Sequence, residues 1–334
     1  MTIVDASADA ATGASAGAAP VQATGVFSSA ADLIGNTPIV ELRTLAPVSS
    51  RVLVKLENRN PGGSSKDRVA LNIIRQAEAS GELQPGATIV ESTSGNTGIG
   101  LALVGRLTGH PVVIVHSPTI SLEKRTILRA YGATLVEADW EAGPDDPTNA
   151  RAVADRIAAE TPGGWRSSQF GNNANPEAHY FGTGPEIWRQ TGGTVTHFVA
   201  GIGTAGTITG TGRFLKEQGD VRIIGVDPVG STYSGNPSGL ISVEGVGTNW
   251  PSANWASFFD HSVIDEFRVI PNERVFATVR QLALDEALLL GPSSAMAISA
   301  AIDVATENPG STVVVIAPDG GSNYLSTVFN ESAS

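Results

Sequence analysis

Asn60-Pro61-Gly62-Gly63-Ser64-Ser65-Lys66-Asp67-Arg68 is the stretch on which the reading of this chain turns. A Pro-Gly-Gly turn delivers one lysine to the start of a helical pattern. In that pattern Val69, Ala70, Ile73, Ile74 and Ala77 share a face and Gly81 is the stop. Gly62 and Gly63 admit backbone conformations closed to other residues and let a bulky ligand approach the main chain. A lysine used as a chemical group must be held still, reachable and partly desolvated. Alone, the segment reads as a surface lysine in a helix-opening turn; the loops further along decide otherwise.

Outward from this lysine, short β-branched runs alternate with helical patterns. Strands are expected at Val52–Leu56, Thr88–Glu91, Val112–Val115, Thr134–Val136, His197–Ala200, Ile223–Val226 and Val313–Ala317. Helices are expected at Asp67–Ser80, Thr97–Thr108, Leu122–Tyr131, Ala150–Glu160, Thr207–Gln218, Asn272–Glu286 and Ser294–Thr306. Near-continuous apolar strands alternating with helices predict an α/β fold whose parallel sheet is covered on both faces. A length of 334 residues suffices for two domains, each with its own core.

Two glycine loops each follow a strand and open a helix. The first is Glu91-Ser92-Thr93-Ser94-Gly95-Asn96-Thr97-Gly98. A helix N-terminus behind small hydroxyl residues favours a carboxylate or phosphate, through its free N–H groups and its dipole. Asn96 adds an amide able to donate to a phenolate-type oxygen. A tight turn capped by Ser or Thr explains the same residues equally well. The second loop is Gly201-Ile202-Gly203-Thr204-Ala205-Gly206-Thr207-Ile208-Thr209-Gly210. Gly201, Gly203 and Gly206 satisfy G-x-G-x-x-G, and Asp227 ends the next strand near the offset of a ribose-binding acid. A nicotinamide-dependent dehydrogenase is therefore an alternative. Against it, Thr204 and Thr207 suit a single terminal phosphate, and a dinucleotide leaves Lys66 and the Thr93–Thr97 loop without a purpose.

Composition narrows the partners. The 21 basic and 33 acidic residues give a net charge of -12, which opposes nucleic acid and anionic membrane surfaces. The absence of cysteine excludes disulfides, thiolate metal sites and a cysteine nucleophile. His110, His116, His179, His197 and His261 are scattered, so no metal site is expected. Residues 1–28 are mostly Ala, Gly, Ser and Thr, without the basic and apolar regions of a signal peptide; a flexible tail is expected there. Nothing approaches the ~18 uninterrupted apolar residues of a membrane helix. The expectation is a cytoplasmic protein.

Lys66 in N-P-G-G-S-x-K-D-R, the T-S-G-N-T loop and the G-x-G-T-x-G-T loop together resemble one family closely. It is the fold-type II pyridoxal-phosphate β-family of cysteine synthases, cystathionine β-synthases and diaminopropionate synthases. The resemblance runs from about Ile34-Gly35-Asn36-Thr37-Pro38 to residue 330. It implies two three-layer αβα domains with twisted, mostly parallel sheets and pyridoxal 5'-phosphate in the cleft between them. The larger, cofactor-binding domain would comprise residues 29–68 and 176–330; the smaller, movable one would comprise 69–175. The resemblance implies that Lys66 forms the internal aldimine, that Asn96 bonds the ring hydroxyl, and that Gly203, Thr204, Ala205, Gly206 and Thr207 cradle the phosphate. Ser293, in Gly291-Pro292-Ser293-Ser294, would face the pyridine nitrogen. Thr93, Ser94, Gly95 and Thr97 would clamp the substrate carboxylate, with Gln169 of Ser168-Gln169-Phe170-Gly171-Asn172 opposite. A homodimer is the family's usual state.

The implied reaction is β-replacement on O-acetylserine or O-phosphoserine through an aminoacrylate, with sulfide giving cysteine as the first reading. Departures keep other nucleophiles open. Ser92 stands where cysteine synthases usually have proline, no methionine precedes Ser121, and Asp319-Gly320-Gly321-Ser322-Asn323-Tyr324 departs from D-S-G-E-R-Y. Glu91–Asn96 and Ala178-His179-Tyr180 are similar to diaminopropionate synthases, which add an amine. Ile223–Pro228 and Asn323-Tyr324 are similar to cystathionine β-synthases, which add homocysteine; a serine/threonine deaminase is a further alternative.

Overall fold

The computed structural model describes residues 25–140, 142–143 and 145–330; the expected tail, residues 1–28, lies outside these apart from 25–28. The longest apolar runs become the centre of the larger of two sheets. That sheet has the order β1-β2-β10-β7-β8-β9. Its strands are β1 (Ile39–Glu41), β2 (Arg51–Leu56), β7 (His197–Gly201), β8 (Arg222–Pro228), β9 (Glu266–Ile270) and β10 (Thr312–Ala317). Only β1 runs antiparallel. In β10 all six residues are buried, because it lies between β2 and β7 with helices on both faces.

The smaller sheet is wholly parallel, ordered β5-β4-β3-β6. It is built from β3 (Ile89–Ser92), β4 (Val112–His116), β5 (Thr134–Glu137) and β6 (Trp165–Arg166). Separate apolar clusters fill both faces of each sheet. Helices α8 (Asn272–Asp285) and α9 (Pro292–Glu307) cover one face of the larger sheet. Helices α6 (Gly184–Gln190) and α7 (Gly206–Gln218) cover the other. On the smaller sheet α1 (Lys66–Ser80) and α2 (Asn96–Thr108) share one cluster, and α4 (Ala150–Glu160) packs on the opposite face. Each fully buried Val, Leu or Ile here contributes roughly 1.5–3 kcal/mol.

All seven expected strands and all seven expected helices form. Strands β1, β6 and β9 carry no alternation to announce them: β6 has two residues, and β1 and β9 are half-exposed edges. No element is expected from the sequence over Ala174–Gln190, and the segment is helical. It comprises α5 (Ala174–Ala178), a π-turn over His179–Thr183, and α6, with Pro176 and Pro185 breaking the periodicity. Helix α3 (Leu122–Ala130) completes the set. Among the described residues no helix is long and apolar enough to cross a membrane.

Candidate active site

Most segments flagged in the sequence follow the C-terminal end of a parallel strand, where ligands of open α/β sheets bind; Gly291–Ser294 instead follows α8. The Lys66 turn follows β2, Thr93–Thr97 follows β3, Gln169 follows β6, Gly203–Thr207 follows β7, and Pro318-Asp319 follows β10. A pocket there is lined by Lys66, Gly201, Gly203, Thr204, Ala205, Thr207, Gly245, Val246 and Pro318, closed below by Ala200 and Ile316. Asn96, Gly206, Ser293, the Thr93–Thr97 loop and Gln169 are not in its wall; Asn96 is tied to it through Asp319 and Gln169 through Asn175, whereas Ser293 has no such hydrogen bond.

Lys66 is half-buried, and its backbone is pinned from both sides. Ser65 N–H donates to the Pro318 carbonyl (2.8 Å) and Ser64 bridges to Asp319. Desolvation holds the Lys66 amine below the ordinary lysine range, against the pull of Asp319 and Glu57. Such an amine spends more of its time neutral, as a nucleophile or base requires. Next along α1, Arg68 is clamped by Glu57 (2.6 Å) and Glu186 (2.7 Å), and Glu186 also takes Lys55 (2.7 Å). Two cations and two carboxylates thus balance in the interior and fix the start of α1.

The β7–α7 loop is tightly packed at its glycines and leaves backbone N–H groups free. A Cβ on Gly203 would stand 2.6 Å from the Gly245 carbonyl, and one on Gly206 would strike the Asn175 amide. Ala205 adopts φ 66°, rare for a residue with a Cβ, and turns the chain into α7 with no side chain capping its N–H groups. The two threonines are held from behind. Asn175 Nδ2 donates to Thr204 Oγ1 (3.0 Å), and His179 Nε2 lies 3.2 Å from Thr207 Oγ1. Burial lowers the His179 pKa to about 3, so its ring is neutral. Tyr233 completes the loop by donating to the Gly203 carbonyl (2.8 Å).

Asn96 opens α2, whose first turn also has no side-chain cap. Its Nδ2 donates to Asp319 Oδ2 (2.8 Å), and Asn323 Nδ2 approaches its Oδ1 (3.4 Å). One amide hydrogen of Asn96 is left over for a ligand. Tyr324 O–H donates to the same Asp319 oxygen (2.6 Å), while Asp319 Oδ1 is buried without a partner. Ser293 is buried near the start of α9, and its hydroxyl makes no hydrogen bond among the described residues. Thr93 Oγ1 accepts from Gly95 N–H, Ser94 Oγ accepts from Ser117 N–H, and Thr97 donates to Gln169 Oε1 (2.6 Å). The two hydroxyl hydrogens of Thr93 and Ser94 and the Gln169 amide hydrogens stay available to an anion.

Residues 30–319 match the family described as pyridoxal-phosphate dependent enzyme. The chain belongs to this pyridoxal-phosphate-dependent enzyme family. Cysteine synthase B of Salmonella typhimurium is 44% identical to this enzyme over 301 residues, spanning 89% of it and 95% of the relative. Cystathionine β-synthase of Saccharomyces cerevisiae is 38% identical over 321 residues, spanning 90% of this chain and 62% of the yeast protein. Among solved structures, an O-ureido-L-serine synthase superposes with TM-score 0.86 at 38% identity, covering 92% and 96% of the two chains. An O-acetylserine-dependent cystathionine β-synthase from Helicobacter pylori gives 0.84 at 37% identity, covering 90% and 98%. The fold is that of the fold-type II enzymes.

The residues of this enzyme fit the cofactor. A desolvated lysine faces a glycine cup that a Cβ would fill, two uncapped helix starts point inward, and a spare amide hydrogen sits between them. The dehydrogenase alternative is corrected: Asp227 Oδ2 is taken by the Ser234 N–H (2.9 Å) and hydroxyl (2.8 Å), and the residue is buried rather than open to a ribose. Asn175, Tyr233, Glu91 and the supporting roles of His179 and Asp319 were not read from the sequence. Glu91 is buried and gathers Ser92 N–H, Ser167 O–H, Gln169 N–H and Arg166. For Glu91 and Asp319 the available signal was an acid at or just beyond the end of an apolar strand.

Proposed function

We propose that this enzyme replaces the β-substituent of an O-activated L-serine, O-acetylserine or O-phosphoserine, with sulfide to give L-cysteine. The observation that carries the proposal is the desolvated Lys66 amine in one pocket with the Gly203–Thr207 cup. The relatives named cysteine synthase B support the same reaction class. In this reading Lys66 Nζ holds pyridoxal phosphate, Gly203–Thr207 take the phosphate, Asn96 bonds the ring oxygen and Ser293 faces the ring nitrogen. Bound there, the cofactor supplies an electron sink for loss of the α-proton and the β-substituent.

Lys66 Nζ, when free, accepts the α-proton, and desolvation, which holds its pKa below the ordinary lysine range, favours the neutral form able to do so. Thr93, Ser94, Gly95, Thr97 and Gln169 hold the substrate carboxylate. A neutral Ser293 hydroxyl leaves the ring nitrogen largely unprotonated, which favours loss of proton and leaving group together. The smaller sheet, with residues 69–175, closes over the substrate. Purified enzyme given O-acetylserine and sulfide is expected to release cysteine, read by product mass, and to show a visible cofactor absorbance. Lys66→Ala should lose both; cysteine formation undiminished in that variant would sink the reading.

A further inference from the structure

Arg151, in the first turn of α4, belongs to no part of the machinery above. Its guanidinium lies 3.8 Å from the centre of the Trp250 ring and 4.8 Å from that of Phe170. Both aromatic partners sit on loops that lead to the cleft. Phe170 follows Gln169, and Trp250 ends the loop whose Gly245 and Val246 line the pocket. A guanidinium braced on ring faces presents its N–H edges in its own plane, the geometry that takes a carboxylate or phosphate in two parallel bonds.

Here those edges are unclaimed. Among the described residues the Arg151 side chain has no hydrogen bond and no ion pair. The carboxylates that its field reaches are committed elsewhere: Glu91 to Ser167, Gln169 and Arg166, and Asp155 to Arg166 (2.7 Å). Half-burying a cation with no counter-ion is costly, and desolvation indeed weakens its hold on its proton. A plain brace between two aromatic rings would be served by an uncharged side chain.

We propose that Arg151 is an anion-receiving, specificity-determining residue of the outer cleft. Its ligand is an oxyanion carried by a substrate beyond the α-carboxylate held at Thr93–Thr97. That oxyanion is the carboxylate of an amino-acid nucleophile or the phosphate of an O-phosphoserine donor. The inference deepens the proposed function and rests on it.

The test compares wild type with Arg151→Met and Arg151→Lys on three substrate pairs. O-acetylserine with sulfide is the reference, since neither needs a second anion site. O-phosphoserine with sulfide reports a phosphate; O-acetylserine with homocysteine reports a carboxylate on the nucleophile. In one anionic pair, kcat/KM for Arg151→Met should fall roughly 10- to 100-fold more than in the reference pair, as loss of a charged hydrogen-bonded pair implies. Arg151→Lys should fall between the two and recover part of the loss. The pair that responds identifies the source of the anion. An equal fall in all three pairs makes Arg151 a brace and overturns the proposal, as does wild type that turns over the reference pair alone. Wild type inactive on every pair, with no change of cofactor spectrum on adding either donor, removes the proposed function and this inference with it.

Discussion

At the scale of single residues, the site depends on groups that never reach the pocket wall. Asp319 determines which way the Asn96 amide faces, because its Oδ2 takes one of the two Nδ2 hydrogens. Burial raises the Asp319 pKa, with Tyr324 and Asn96 pulling it back by hydrogen bonding to the carboxylate. Asp319→Ala should free the amide to turn and weaken cofactor binding by roughly 10-fold, the worth of one charged hydrogen bond. Titrating cofactor into the cofactor-free variant, followed by tryptophan fluorescence, measures this; affinity equal to wild type would show that Asn96 needs no orienting. His179 gives a pH prediction. Its folded pKa is about 3 against an ordinary 6.5, so the unfolded chain takes the proton first. Stability therefore falls as pH drops from 6.5 towards 3, by up to ~1.4 kcal/mol per unit. Asp67, raised to about 7 by burial, works in the opposite sense, since its folded form keeps a proton that the unfolded chain loses above pH 3.8. Urea unfolding at pH 6.5 and about pH 4 should show a larger loss for wild type than for His179→Gln. Equal losses would mean that the imidazole is solvated.

At the scale of elements, what holds the lysine-bearing turn is the buried group Lys55, Glu57, Arg68 and Glu186, linking β2, α1 and α6. Burial alone would raise the pKa of Glu186; Arg68 and Lys55 overcome it and bring it to about 2. Removing one member leaves an uncompensated charge inside, whereas removing an oppositely charged pair does not. Glu186→Ala should cost roughly 3–5 kcal/mol in urea unfolding, and Lys55→Met with Glu186→Leu should cost less than the single change. A double change as costly as the sum of its parts would show that the charges act independently. The elements were legible wherever burial is one-dimensional. Val313–Ala317 announces itself because buried parallel strands are near-continuously apolar, and Val52–Leu56 does so with Lys55 as its single break. The three glycine-marked turns were legible because backbone approach demands glycine. Arg68, Glu186 and Asn175 were not, since an isolated charge or amide in a helix looks the same facing solvent or a buried partner. Register between distant strands, which the sequence does not display, decides between them.

At the scale of the whole molecule, a set of polar contacts crosses between the sheets around the cleft. Asn96 meets Asp319, Arg151 meets Trp250, and Glu123 accepts from the Ser326 N–H and hydroxyl (both 2.9 Å). Lys124 pairs with Glu244 and lies 4.6 Å over the Tyr324 ring. These are hydrogen-bonded and charged contacts rather than an apolar core, and such contacts break at modest cost. In the double variant Glu123→Ala, Glu244→Ala, amide hydrogen exchange should quicken at residues 93–98 and 318–324, with β2 and β10 unchanged. Uniform exchange across both regions would mean that these contacts do not hold the cleft shut.

The pairing of β2 with β10 sets an order of assembly during synthesis. Arg51–Leu56 aligns residue by residue with Thr312–Ala317, so strands from opposite ends of the chain lie side by side. The smaller sheet spans only residues 89–166 and is complete once that stretch has left the ribosome. The lysine turn, anchored on Pro318 and Asp319, takes its shape only when the last strand arrives. A chain interrupted before β10 has every strand of the small sheet but lacks the centre of the large one and the Pro318-Asp319 anchor of the lysine turn. Pyridoxal phosphate can reward the folding of this enzyme only at its final step.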